Sequence, residues 1–134
     1  MPRGLDNCNP GNIRRSAVRY KGEVVPSRDP AFKQFRSPAW GYRAIFVLLD
    51  TYRTRYGLKS IAQMIARWAP PSENRTQTYI RFVSEAVGVD AHAPIDTRDR
   101  EMMLRFAAAI SRIENGLPAD MEQAEAGWRL FAGA

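Results

Sequence analysis

Residues 97–116 have the sequence TRDREMMLRFAAAISRIENG, and this stretch decides the fold class. Its apolar side chains recur at intervals of three and four, which is the spacing of one face of an α-helix. They are Met103, Phe106, Ala107, Ile110 and Ile113. Gly116 is typical of the residue that follows a helix end. We therefore predict a helix from about Thr97 to Asn115.

Four more helices are predicted outward from this one. Each has a capping residue or a proline at its start and apolar residues at helical spacing. The predicted limits are Ser37-Pro38 to Gly57, Ser60 to Pro70-Pro71, Ser72 to Gly88, and Pro118 onward. The residues predicted to face inward are Ile45, Leu48, Leu49 and Tyr52; Ile61, Met64, Ile65 and Trp68; Tyr79, Phe82, Val83, Ala86 and Val87; and Met121, Ala124, Trp128 and Leu130.

The first 37 residues show no helical period and are rich in Gly, Pro, Asn and Asp. Short extended pieces around Ile13–Arg15, Arg19–Tyr20 and Phe32–Phe35 indicate a small irregular β-hairpin. We expect one mainly α domain (α+β class) over residues 1–134, with this hairpin near its N-terminus.

Composition and charge restrict the function classes. The chain is 45% hydrophobic and 25% charged, as in ordinary globular proteins, and it contains no apolar run of membrane-spanning length. Residues 1–12 lack the apolar stretch of a signal peptide, so none is expected. Residues 1–67 hold 13 Lys and Arg against 4 Asp and Glu, a net charge of +9. Such a basic half favours an anionic partner, for example a bacterial wall polymer, lipopolysaccharide or nucleic acid.

The sequence predicts neither a metal site nor a cofactor. Cys8 is the single cysteine, which excludes an internal disulfide and a cysteine-based metal cluster. A catalytic thiol would need a base, and the single histidine, His92, lies in a predicted loop rich in Pro and Asp. We expect Cys8 to be a small buried residue.

Glu114 is the first candidate for catalysis. It follows Ile110 by four residues, so it falls on the apolar stripe of the predicted helix. Partial burial disfavours the charged form of a carboxyl group, which helps a general acid to hold its proton. The helix ends directly afterwards, so the carboxyl group should face a cleft. Alternatively, Glu114 lies at the edge of the stripe and pairs with Arg112 or Arg129.

Three other carboxylates compete with Glu114 or complement it. Glu73 is predicted just inside a helix N-terminus, where the helix dipole favours an anion, so it suits a structural cap, an electrostatic stabiliser or a water-activating base. Glu23 and Asp29 lie in the predicted hairpin. Either could be the second carboxylate of a glycoside hydrolase. A lytic transglycosylase needs no second carboxylate, because a hydroxyl of the sugar itself attacks.

Several aromatic side chains could stack on sugar rings. They are Tyr20, Trp40, Tyr42, Trp68, Tyr79 and Trp128. Burial is the expected state of Trp68 and Trp128, which lie at core spacing. The hydroxyl of Tyr79 on an inward face needs a polar partner, and Glu114 is one candidate for it.

Three segments together resemble a known protein family. They are NPGNIR at 9–14, the pattern FxxFxSxxxGYRA at 32–44, and WAPPSENxTxxYI at 68–80. The chain is identified by them as a member of the phage and prophage group of virion (structural protein P5-like) proteins with a lysozyme-like domain. The resemblance covers about residues 3–116 and implies an enzyme that cleaves the glycan strand of peptidoglycan.

A weaker similarity connects the chain to autolysin-type glucosaminidases and lytic transglycosylases, in which a helix ends in a catalytic Glu. In those enzymes the catalytic Glu is followed by an Asn-rich turn, a hairpin and a Thr-x-x-x-Tyr-like helix start. In this chain the same elements precede Glu114. The similarity therefore implies a circularly permuted order. The similarity implies Glu114 as the acid, with Glu73 as the other candidate. It also implies Tyr79 beside Glu114. The substrate-binding residues that we infer are Asn9, Asn12, Arg14, Tyr42, Asn74, Thr76 and Tyr79.

Two rival functions remain from the sequence. One is a virion structural protein that keeps the fold without activity. The other is nucleic-acid binding through a helix-turn-helix formed by 60–87, although the turn is longer than usual and the second helix begins with Glu73. We expect a monomer that binds peptidoglycan glycan strands and does not insert into a membrane. It would lie in the virion, or in the bacterial cytoplasm before release to the cell wall or periplasm.

Overall fold

A computed structural model describes residues 1–133, and within them the chain forms six helices and one small antiparallel sheet. The elements in chain order are α1 (Arg3–Asp6), β1 (Glu23–Val24), β2 (Gln34–Phe35), α2 (Pro38–Tyr56), α3 (Ile61–Trp68), α4 (Thr76–Val87), α5 (Arg100–Asn115) and α6 (Met121–Ala132). The predicted class, mainly helical with a small β element near the N-terminus, is confirmed. None of these helices combines the length and apolar character needed to cross a membrane.

Helix ends follow the predicted glycines. Gly57, Gly88 and Gly116 each adopt the left-handed conformation directly after α2, α4 and α5. This conformation is cheap for glycine, and it turns the chain away from the helix axis. At the start of α3 the Ser60 side chain accepts a hydrogen bond from the backbone N–H of Gln63, as a capping serine should.

The predicted starts of three helices are wrong. The α4 helix begins at Thr76, and not at Ser72, because residues 70–74 form a turn in which the N–H of Glu73 donates to the Pro70 carbonyl at 3.0 Å. The α5 and α6 helices begin three residues late because aspartates cap them. Asp99 accepts from the N–H of Met102, and Asp120 accepts from that of Gln123.

Some inward faces are also corrected. Phe82 and Met121 are 41% and 42% exposed, and Ala86 is exposed as well. The α4 side chains that are buried recur at steps of three and four from its true start, namely Thr76, Tyr79, Ile80, Val83 and Val87. In α6, Phe131 is buried where Leu130 was predicted.

The N-terminal hairpin is smaller than predicted. The strand β1 pairs with β2, and Arg14 forms an isolated bridge with Phe32, whereas Arg19–Tyr20 is not a strand. A buried ion pair fixes this region: Lys33, 1% exposed, contacts Glu23 at 3.0 Å and also donates to the carbonyl of Val18 at 2.7 Å. The loop before β1 therefore wraps around the Lys33 ammonium group.

The core is one connected apolar cluster around α2. On one side α2 packs against α6, where Phe46 meets Trp128 edge to face at 5.1 Å between ring centroids. On the other side α5 carries Met103, Phe106, Ala107 and Ile110 into the core, as predicted, and packs against α4. This packing places the last turn of α5 beside both the N-terminal turn and α4.

Candidate functional site

Glu114 lies in the last turn of α5 and receives two hydrogen bonds. The Tyr79 hydroxyl donates to Oε2 at 3.0 Å, and the Asn12 side-chain amide donates to Oε1 at 3.0 Å. The alternative pairing with Arg112 or Arg129 is not observed, because Arg112 donates to the Gly116 carbonyl instead and no ion pair among residues 1–133 involves Glu114. The carboxyl group is therefore held by two neutral donors from distant parts of the chain.

The N-terminal turn is built to present Asn12. Asn9 is fully buried, accepts a hydrogen bond from the N–H of Ile13 at 2.9 Å, and donates to the carbonyls of Ile13 and Lys33. Asn12 itself has a φ of +47°, in the left-handed region that asparagine tolerates better than most residues. These hydrogen bonds fix the conformation of the turn without any contribution from Glu114.

Asn115 fastens that turn to α5. Its side-chain amide donates to the Pro10 carbonyl at 2.9 Å and to the Ser111 carbonyl at 3.0 Å. Asn115 is 8% exposed and follows Glu114 directly, so it anchors the backbone that carries the carboxyl group. The sequence predicted Asn115 only as the last residue of the helix, and no sequence pattern indicated its role as an anchor.

Tyr79 is 5% exposed and points from α4 toward Glu114. Burial raises the pKa of its hydroxyl far above the ordinary value, and the nearby Glu114 carboxylate raises it further. Tyr79 therefore stays protonated. It can donate to a Glu114 carboxylate or accept from a protonated Glu114, since a hydroxyl does both.

Glu114 and Asn12 open onto a cleft of about 340 Å³, whereas the buried Tyr79 does not line it. Its walls come from the 11–14 turn, α2, the end of α3 and the 69–74 turn. Of the predicted site residues, Asn12, Arg14, Glu73, Asn74 and Glu114 line it. Trp68, expected in the core, is half-buried and lines the cleft as well. The cleft thus combines carboxyl groups with an aromatic ring, as sugar-binding sites do.

Glu73 lies in this cleft, but in a different environment from the predicted one. It precedes α4 by three residues, so the helix dipole is not its main neighbour. Instead its carboxylate pairs with Arg14 at 3.5 Å, and its side chain is 50% exposed. Glu73 is therefore a solvated, charge-paired group, unlike the enclosed Glu114.

Neither Glu23 nor Asp29 lines the cleft. Glu23 is committed to the buried Lys33. The Arg3 guanidinium, bound to both carboxylate oxygens at 2.6 and 2.7 Å, lowers the pKa of Asp29 well below its usual range, and backbone N–H groups act in the same direction. Both carboxylates are therefore bound within the N-terminal segment, which they stabilise.

Three residues inferred to bind substrate are buried and have structural partners. The Asn9 amide is used within its turn, the Tyr42 hydroxyl donates to Ser111 at 3.2 Å, and the Thr76 hydroxyl donates to the Ala69 carbonyl at 2.6 Å. None of the three lines the cleft. Cys8 is half-buried rather than buried, and His92 is exposed, as expected of its loop.

Similarity to known proteins was found for most of the chain. No family model matches it. Protein P5 of Pseudoalteromonas phage PM2 is 38% identical over 117 residues, which is 85% of this chain and 71% of that protein.

Proposed function

The chain belongs to the family of protein P5 of phage PM2, and on this premise we propose that it is an enzyme that cleaves the glycan strand of peptidoglycan, with Glu114 as its general acid. The observation that carries the proposal is the placement of Glu114. A carboxyl group in the last turn of α5 faces a cleft while Tyr79 and Asn12 hold its two oxygens.

In the proposed mechanism the glycan strand lies in the cleft. Glu114 donates a proton to the glycosidic oxygen as positive charge develops on the sugar ring. Glu114 itself lines the cleft, while the Asn12 amide and the Tyr79 hydroxyl each bind one of its oxygens. After proton transfer the same two hydrogen bonds stabilise the carboxylate, because donors already in place need no rearrangement.

Glu73 supplies a second carboxylate on the same cleft. In a hydrolase it would activate water or stabilise the charged sugar, and Arg14 lies beside it at 3.5 Å. In a lytic transglycosylase it would be dispensable, because a hydroxyl of the sugar attacks. The products separate the two mechanisms: hydrolysis leaves reducing ends, and internal attack leaves 1,6-anhydro ends.

We also propose that the fold is lysozyme-like with its elements in circularly permuted order. Three features support this: an Asn-rich turn and a tyrosine on a helix both donate hydrogen bonds to a Glu at a helix end. In this chain they occur in the order Asn12, Tyr79 and Glu114.

The test is digestion of purified peptidoglycan by the wild type, Glu114→Gln and Glu73→Gln, with mass analysis of the released ends. We expect glycan-strand fragments from the wild type and none from Glu114→Gln. Full activity of Glu114→Gln would refute the assignment of the acid. A folded wild type that releases nothing would favour a virion structural protein without activity.

A further inference from the structure

Arg67 lies near the end of α3 and lines the same cleft as Glu114. Its guanidinium carbon is 4.1 Å from the centroid of the Tyr56 ring and 5.5 Å from that of Tyr52. Cation–π contacts of this kind hold the guanidinium group in place, and they do not use up its N–H groups as an ion pair with a carboxylate would.

In the part of the chain that the structure describes, the charges of the cleft leave Arg67 without a carboxylate partner. Arg14 faces Glu73 at 3.5 Å, and the Glu114 carboxyl group is bound by neutral donors. Among residues 1–133 no ion pair involves Arg67. A cation that is held by two aromatic rings and faces a cleft is suited to a substrate anion.

We infer that Arg67, held by Tyr52 and Tyr56, binds a carboxylate carried by the glycan strand and so selects peptidoglycan over uncharged polysaccharides. The inference rests on the proposed function and extends it to substrate selection. The carboxylate has two sources: the stem peptides on intact strands, or the lactyl group of the muramic acid that becomes free when the peptides are removed.

The single guanidinium without an ion-pair partner in this cleft, as far as the described residues go, favours one carboxylate over a polyphosphate such as nucleic acid. One guanidinium edge matches the two oxygens of a planar carboxylate. A nucleic-acid strand would need several free cations, whereas Arg14 is engaged and both Glu73 and Glu114 line the cleft.

The experiment measures binding rather than turnover. Glu114→Gln serves as the inactive background, and Arg67→Gln, Arg67→Lys and Arg81→Gln are added to it. Arg81 is an exposed arginine of α4 outside the cleft, so it is the matched control for loss of one charge. Dissociation constants are measured for intact peptidoglycan, peptide-stripped glycan strands and chitin oligomers, and folding is checked by thermal melting.

We expect Arg67→Gln to weaken binding about tenfold on one of the two anionic substrates and to leave chitin binding unchanged. The affinity of Arg67→Lys should lie between that of the Glu114→Gln background and that of Arg67→Gln, because lysine keeps the charge and lacks the planar guanidinium group. Weakening on intact strands alone identifies the stem peptide, and weakening on stripped strands alone identifies the lactyl group.

Equal weakening on chitin would overturn the inference, as would unchanged binding to both anionic substrates. In either case the proposed function survives if the wild type still cleaves peptidoglycan. If the Glu114→Gln background binds no glycan and the wild type cleaves none, the proposed function fails and this site fails with it.

Discussion

The Tyr79 hydroxyl donates a hydrogen bond to Oε2 of Glu114 at 3.0 Å, joining the middle of the chain to its last third. Tyr79 is almost fully buried, and its pKa is raised far above the ordinary value, chiefly by that burial. Its proton therefore remains available to the Glu114 carboxylate across the physiological pH range. This hydrogen bond is the basis of the first two predictions.

Tyr79→Phe should lower kcat about tenfold without changing the products, because Glu114 loses one of the two donors that hold its oxygens. The phenyl ring keeps the packing of α4 against α5. Peptidoglycan turnover under saturating substrate measures the effect. Tyr42→Phe is the matched control, since it also loses a buried hydrogen bond, to Ser111, but one that does not involve Glu114. Equal losses in both variants would argue against a role of Tyr79 in positioning Glu114.

Tyr79→Phe should also change stability at alkaline pH. The pKa of Tyr79 is raised in the folded state, so its contribution is complete below the unfolded value of 10.0 and declines as the pH rises above it. Above pH 10 the unfolded wild type loses this proton while the folded protein keeps it. The free energy of unfolding should then fall more steeply in the wild type than in Tyr79→Phe, by up to about 1.4 kcal/mol per pH unit. Urea unfolding between pH 9 and about pH 11 measures both slopes, and identical slopes would contradict the prediction.

Lys33→Met should destabilise the protein by about 3–5 kcal/mol, because it leaves the buried Glu23 carboxylate without its counter-ion. The exposed Lys59 provides the control, and Lys59→Met should change stability by less than about 0.5 kcal/mol. Urea unfolding at neutral pH compares them. A loss below about 1 kcal/mol in Lys33→Met would show that the pair contributes little.

Gly4→Ala should disturb both the fold and the site. A Cβ atom at this position would lie 2.5 Å from Asn115 Oδ1, 2.7 Å from Asn12 Oδ1 and 2.8 Å from the Asn9 carbonyl oxygen. We expect a stability loss of about 1–3 kcal/mol and a lower activity per folded molecule, since Asn12 must shift away from Glu114. Gly57→Ala is the comparison: it strains a left-handed residue but meets no atom within 4 Å. Gly57→Ala should lower the free energy of unfolding and leave the activity per folded molecule unchanged.

The sequence predicted the helices best where their signals are local. Gly57, Gly88 and Gly116 end helices through their own backbone freedom, and Ser60 caps α3 with its own side chain. The start of α4 was wrong because Ser72, although a good cap by type, lies in a turn organised by the Pro70 carbonyl. Local patterns could not decide between a cap and a turn there.

The site depends on contacts that no local pattern contains. Asn12 and Glu114 are 102 residues apart, and their proximity was expected only from the resemblance to a family. The helical stripe predicted a partly enclosed Glu114, which the structure bears out. The stacking of Arg67 on Tyr56 was not predicted, because it requires the side chain near the end of α3 to meet the last turn of α2. Nor did any sequence signal indicate that Lys33 would be buried.

Glu114 is proposed as the general acid, and one comparison of rates tests this role most directly. Initial rates of fragment release from purified peptidoglycan are measured for the wild type and for Glu114→Gln, with binding to the same material measured in parallel. We predict a loss of roughly a thousandfold or more in rate with unchanged binding, because the amide cannot supply the proton. A Glu114→Gln variant that binds normally and keeps a rate within about tenfold of the wild type would contradict the account.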